Sequence, residues 1–251
     1  MTDEVLTEQR DRTLLITLNR PEALNAINEA LVVGLLAAVR RLDEDPGLTV
    51  AVLTGSGTRA FSAGMDLKAF SRGENMRRIY DFIRNGSTKP LIGAVEGLAF
   101  AGGLEVALTC DLLVAARGAR FGIPEAKVGL FASAGGVLRL PSRVGYSTAM
   151  EMALTGDPIL AEEAHERGLV ARLCEPGEAM NVALELAERI GRNAPLSVST
   201  SKQLIRATQG VTEAEYWALQ QPFEDAIVAS ADAKEGPLAF AEKRPPRWTG
   251  A

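Results

Sequence analysis

The chain has 251 residues, 47% hydrophobic and 24% charged, with a formal net charge of −5. That is enough apolar material for a large core in one domain or slightly more, and an acidic balance without a dense Lys/Arg run argues against nucleic acid as the main partner. No stretch approaches the roughly 18 uninterrupted apolar residues of a membrane span, and the polar start has no apolar signal core.

The first predicted strand is Leu14, Ile16 and Leu18 alternating with their neighbours, ended by Asn19-Arg20-Pro21. Asn28 reads as an N-cap, and Leu31, Leu35, Val39 and Leu42 recur at helical spacing until Asp45-Pro46-Gly47. Val50–Thr54, Leu91–Val95 and Leu112–Ala115 are short apolar runs, as expected of strands buried on both faces. Helical segments are predicted between them, around Glu74–Arg84 and Gly103–Thr109. Such alternation implies βαβ units and a largely parallel sheet. Beyond about residue 145 helices dominate, at Tyr146–Thr155, Ala161–Arg167, Glu178–Arg192, Ser197–Thr208 and Ala214–Ser230, with one further strand at Leu169–Leu173. The sequence has no evident internal repeat.

The chemistry-bearing residues narrow quickly. Cys110 and Cys174 lack metal-ligand or CxxC spacing. The single histidine, His165, lies in a polar helical stretch, with no Ser or Cys motif beside it to make a triad. Acid–base work therefore falls to carboxylates, Lys or Tyr. Two Gly-containing turns follow predicted strands: Phe61-Ser62-Ala63-Gly64-Met65-Asp66-Leu67 and Phe100-Ala101-Gly102-Gly103-Leu104-Glu105. A turn opening a helix leaves N–H groups unpaired and able to hold an anion, although ordinary turn geometry is the commoner reading of each taken alone. Neither matches a Walker or dinucleotide-binding loop. Glu105, among Leu104, Val106, Ala107 and Leu108, is expected to be desolvated. Glu125 follows Phe121-Gly122-Ile123-Pro124, and the two could act together as base and acid.

In this order the segments resemble the crotonase superfamily, specifically enoyl-CoA hydratases. Asn19-Arg20-Pro21 with Leu24-Asn25-Ala26, the two turns above, Cys110-Asp111, Phe121 to Glu125, Gly135-Gly136-Val137-Leu138-Arg139-Leu140 and Phe240 to Arg244 carry the resemblance over nearly the whole chain. The resemblance implies an α/β fold of the crotonase type, a spiral of ββα units over residues 1–195. A helical segment over 196–251 would serve oligomerisation and cover the active site. It also implies an oxyanion hole from the backbone N–H groups of Met65 and Gly102, with Glu105 as base and Glu125 as acid. Ala63, Asp66, Leu67, Lys68, Phe240 and Lys243 would meet the coenzyme A ester. The implied reaction is reversible syn hydration of a 2-enoyl-CoA to a 3-hydroxyacyl-CoA, by a homotrimer or hexamer, with no metal or other cofactor; a cytoplasmic location is the expectation from the two unpatterned cysteines and the polar start. Double-bond isomerisation, another acyl-CoA dehydration, or non-catalytic acyl-CoA binding on the same fold are the alternatives. The sequence departs from the family at Ala132-Ser133, where Pro-Gly is common, and at Ala101, where Gly is.

Overall fold

The central strands form where the sequence is apolar on both faces, and the connections between strands wind the chain into a spiral. The computed structural model describes residues 3–208 and 210–251. Its strands are β1 (Val5–Arg10), β2 (Thr13–Leu18), β3 (Val50–Gly55), β4 (Ala60–Ser62), β5 (Leu91–Val95), β6 (Leu98–Phe100), β7 (Leu112–Ala116), β8 (Arg120–Gly122), β9 (Ile159–Leu160) and β10 (Arg172–Cys174). Its helices are α1 (Glu29–Glu44), α2 (Leu67–Ser71), α3 (Ile79–Asn85), α4 (Gly102–Ala107), α5 (Gly136–Val144), α6 (Tyr146–Thr155), α7 (Ala161–Glu166), α8 (Ala179–Gly191), α9 (Pro195–Ala207), α10 (Glu213–Ala229) and α11 (Ala231–Ala241).

A six-stranded sheet runs β1-β2-β3-β5-β7-β10 and a four-stranded sheet runs β4-β6-β8-β9. The pairs β3/β4, β5/β6 and β7/β8 each give one strand to the large sheet and the next to the small one. This is a structural repeat that the sequence does not display. All pairings are parallel except β1 with β2 and β8 with β9.

Alternation along the central strands builds two cores. Leu14, Ile16, Leu18, Ala51, Leu53, Leu91 and Val95 point to one face of the large sheet, with Leu31, Leu35 and Leu42 of α1 in the same cluster. Each fully buried Leu, Ile or Val among them contributes about 1.5–3 kcal/mol. Leu15, Val50, Val52, Ile92, Ala94 and Val114 face the other way, against Ala179, Ala183 and Ala187 of α8. Alanine at every fourth position lets that helix lie close on the sheet. Asn28 caps α1 through its Oδ1, which accepts the Leu31 N–H at 3.0 Å.

Candidate active site

Three consecutive loops, each leaving a strand of the small sheet, carry the residues singled out above: Met65 after β4, Gly102 and Glu105 after β6, Glu125 after β8. The first two loops touch. Gly64 has φ +95, and a Cβ there would lie 2.8 Å from the Ala101 Cβ and 3.1 Å from the Gly102 nitrogen. Only glycine fits, by conformation and by space. The Gly64 carbonyl accepts the Ile27 N–H at 2.7 Å, and the Asp66 N–H donates to the Ile27 carbonyl at 2.9 Å. Because a trans peptide points its C=O and N–H in opposite directions, the first bond turns the Met65 N–H away from Ile27. A Cβ on Gly102 would be 3.7 Å from the Met65 nitrogen, so the two amides are neighbours. Gly102 is the first residue of α4, where an N–H has no intrahelical acceptor. The Met65 N–H has no backbone acceptor among the described residues. Paired free donors of this kind can hold negative charge developing on one oxygen.

Ala101 sits at φ 51, ψ −130, a region that favours glycine. The departure at this position is thus a strained residue rather than a relaxed substitution.

Glu105 lies in the first turn of α4 and is only 4% exposed. Its Oε1 accepts the Gly136 N–H at 3.0 Å. Burial pushes its carboxyl up to about 7, the Gly136 amide pulls the other way, and the charge of Glu125 raises it further. Glu125 stands in the 3-10 turn Pro124–Val128. Burial raises its carboxyl as well, and its Oε2 is buried with no hydrogen-bond partner among the described residues. Two carboxyls that resist ionisation, close enough for one to feel the other, suit proton exchange near neutral pH.

The remaining predicted residues scatter. The Ala63 N–H is used by the Leu24 carbonyl at 3.0 Å. Asp66 caps α2, its Oδ1 accepting the N–H groups of Lys68 and Ala69 at 3.0 Å each, and its Oδ2 pairs with Arg20 at 3.0 Å. Leu67 and Lys68 are exposed at the start of α2. Phe240 and Lys243 are exposed on and just past α11, whose main packing partner in the chain is α10.

The sequence model of the enoyl-CoA hydratase/isomerase family matches residues 8–251. The chain belongs to this family. It is 41% identical over 256 residues to enoyl-CoA hydratase EchA19 of Mycobacterium tuberculosis, covering 98% of this chain and 96% of that one. It is 38% identical over 257 residues to a carnitinyl-CoA dehydratase of Proteus mirabilis, covering 96% of each. A crystal structure of an enoyl-CoA hydratase from Mycobacterium tuberculosis superimposes with a TM-score of 0.95 at 54% identity, over 99% of this chain and 100% of that one. The protein is therefore an enzyme of the enoyl-CoA hydratase/isomerase family with the crotonase fold.

Within this family member, several groups around the site escaped sequence reasoning. The Gly136 amide reaches Glu105 from α5. Arg139, one turn further on, donates to Thr109 Oγ1 at 3.0 Å and to the Ile83 carbonyl, while Thr109 Oγ1 donates to the Glu105 carbonyl at 3.0 Å. Ser133, at the second departure, shares a 3.1 Å hydrogen bond with the Tyr80 hydroxyl. Gly136, Arg139 and Ser133 lay inside segments already noticed, but what each touches depends on contacts across the fold.

Proposed function

We propose that the enzyme hydrates 2-enoyl-CoA thioesters reversibly to 3-hydroxyacyl-CoA. The observation that carries this reading is the pair of adjacent free amides, Met65 and Gly102, in a site with the buried Glu105 and the half-buried Glu125. In the forward direction the ionised Glu105 takes a proton from water as its oxygen attacks C3. The thioester oxygen gathers the resulting charge and is held by the Met65 and Gly102 amides. Glu125 then delivers a proton to C2, and the proton on Glu105 returns the pair to its starting state through solvent. Removing one such amide typically costs about 2.7–4 kcal/mol of transition-state stabilisation. No step draws on a metal or a second cofactor, because coenzyme A arrives as part of the substrate.

Ala63, Leu67 and Lys68 are proposed to line the coenzyme A path beside the first loop. Phe240 and Lys243 would close it from a neighbouring subunit, in a homotrimer or a hexamer of two trimers. The uncovered C-terminal helices support that assembly: α10 has no buried residue along 17 positions, and Trp217, Val228 and Phe240 are all exposed. The helical segment from residue 196 onward is the proposed assembly unit. No helix among the described residues is long and apolar enough to cross a membrane, and a cytoplasmic enzyme is the proposal.

The test is loss of the conjugated enoyl-thioester absorbance on adding the enzyme to 2-enoyl-CoAs of varied chain length and branching. Glu105→Gln and Glu125→Gln should each abolish most turnover. An isomerase working through one glutamate would tolerate one of them, and wild-type activity in both variants would sink the reading. Sedimentation should give three or six subunits.

A further inference from the structure

The Met65 amide is held in place by a device outside the site. Its orientation depends on the bridge between Ile27 and the Gly64–Asp66 segment, and a single guanidinium spans the two strands of that bridge. Arg20 donates through Nη1 to the Ala26 carbonyl at 2.6 Å and through Nη2 to Asp66 Oδ2 at 3.0 Å. Its Nε lies 3.4 Å from Glu4 Oε2. Arg20 and Asp66 each have 13% of their side chain exposed, so the pair is shielded from solvent screening. The residue bonded at one end immediately precedes Ile27, and the residue at the other immediately follows Met65.

We propose that Arg20, clamped between Ala26 and Asp66, is a positioning residue that aims the Met65 N–H at the thioester oxygen, an inference that rests on the oxyanion reading above. A displacement of about 1 Å in a catalytic group costs on the order of 100-fold in rate.

Arg20→Met removes the clamp. Asp66→Asn is the gentler variant, because asparagine keeps an oxygen able to cap α2 while losing the charge that Arg20 pairs with. With a conjugated 2-enoyl-CoA, both variants should lose roughly tenfold to a hundredfold in kcat with KM within about threefold. The red shift of the bound enoyl-thioester band, which reports polarisation of its carbonyl, should shrink in parallel. Arg20→Lys, a point charge without the two-pronged fork, should recover only part of either signal. Lower melting temperatures with an unchanged kcat and an unchanged band shift would overturn the clamp. If the native enzyme itself produced no band shift, the oxyanion reading would fall, and the native protein alone would reveal it.

Discussion

Glu105 Oε1 and the Gly136 N–H meet at 3.0 Å across 31 positions of chain, so the first turn of α4 and the start of α5 share one hydrogen bond inside the site. A Cβ added at Gly136 would lie 2.6 Å from the Ala132 Cβ and 3.2 Å from Glu105 Oε1. Gly136→Ala should therefore push α5 off the carboxylate. Such overpacking costs about 1–3 kcal/mol, and urea unfolding should register it alongside reduced turnover.

Glu105→Gln removes the proposed base and a titration together. The folded carboxyl titrates at about 7 against an ordinary value of 4.5, so the folded chain keeps a proton that the unfolded chain has released. Stability from this group is fully present below the lower value and is lost as pH climbs through the higher one. The native protein should lose up to about 3 kcal/mol across that window, whereas the variant should not. Turnover should drop at least ~100-fold. Identical pH dependences of melting in the two proteins would refute the assignment.

The Arg139 guanidinium favours the ionised form of Glu105. Arg139→Met should move the acid limb of the kcat/KM profile to higher pH, and Arg139→Lys should move it less. A limb that stays put would mean that Arg139 serves packing alone.

Lys202 on α9 is buried and bonds Asp111 at 2.7 Å, Ser87 at 3.0 Å and the Lys89 carbonyl at 2.7 Å. Lys202→Met strands a carboxylate in a shielded site and should cost about 3 kcal/mol. Lys127→Met, breaking an exposed pair with Asp157, should leave the urea midpoint unchanged. Equal effects would show that burial does not set the worth of these pairs.

Relieving Ala101 by Ala101→Gly should stabilise the fold by about 1 kcal/mol, the strain released outweighing the extra freedom of the unfolded chain. Thermal unfolding measures it directly.

Much of the architecture was legible because it is written locally. Leu14, Ile16 and Leu18 alternate, Asn28 caps, and the runs at Val50, Leu91 and Leu112 are too apolar to sit anywhere but inside a sheet. What stayed hidden depends on partners. β1 carries Thr7, Glu8, Gln9 and Arg10 and is a strand only because β2 offers it an edge. The segments β4, β6 and β8 have three residues each, too few for any periodicity to register. α3 begins at Ile79, later than the predicted Glu74, and α11 lies inside the helical segment expected over 196–251 but had no bounds of its own in the sequence. At the site, the family resemblance pointed to residues, but burial of Glu105 was the part readable from its apolar neighbours. Asp66 read as a ligand-facing group, whereas its carboxylate is taken up by a helix cap and by Arg20, whose partner lies 46 positions away.

Because β4, β6 and β8 are adjacent parallel strands, the sheet works as a ruler. Neighbouring strands stand about 4.8 Å apart, so the groups they launch inherit a fixed pitch from main-chain bonding rather than from side-chain fit. Exposed positions between β4 and β5, such as Leu67, Phe70 and Arg77, hang between two marks of that ruler. They can change character while the spacing of the groups the strands launch stays as it is.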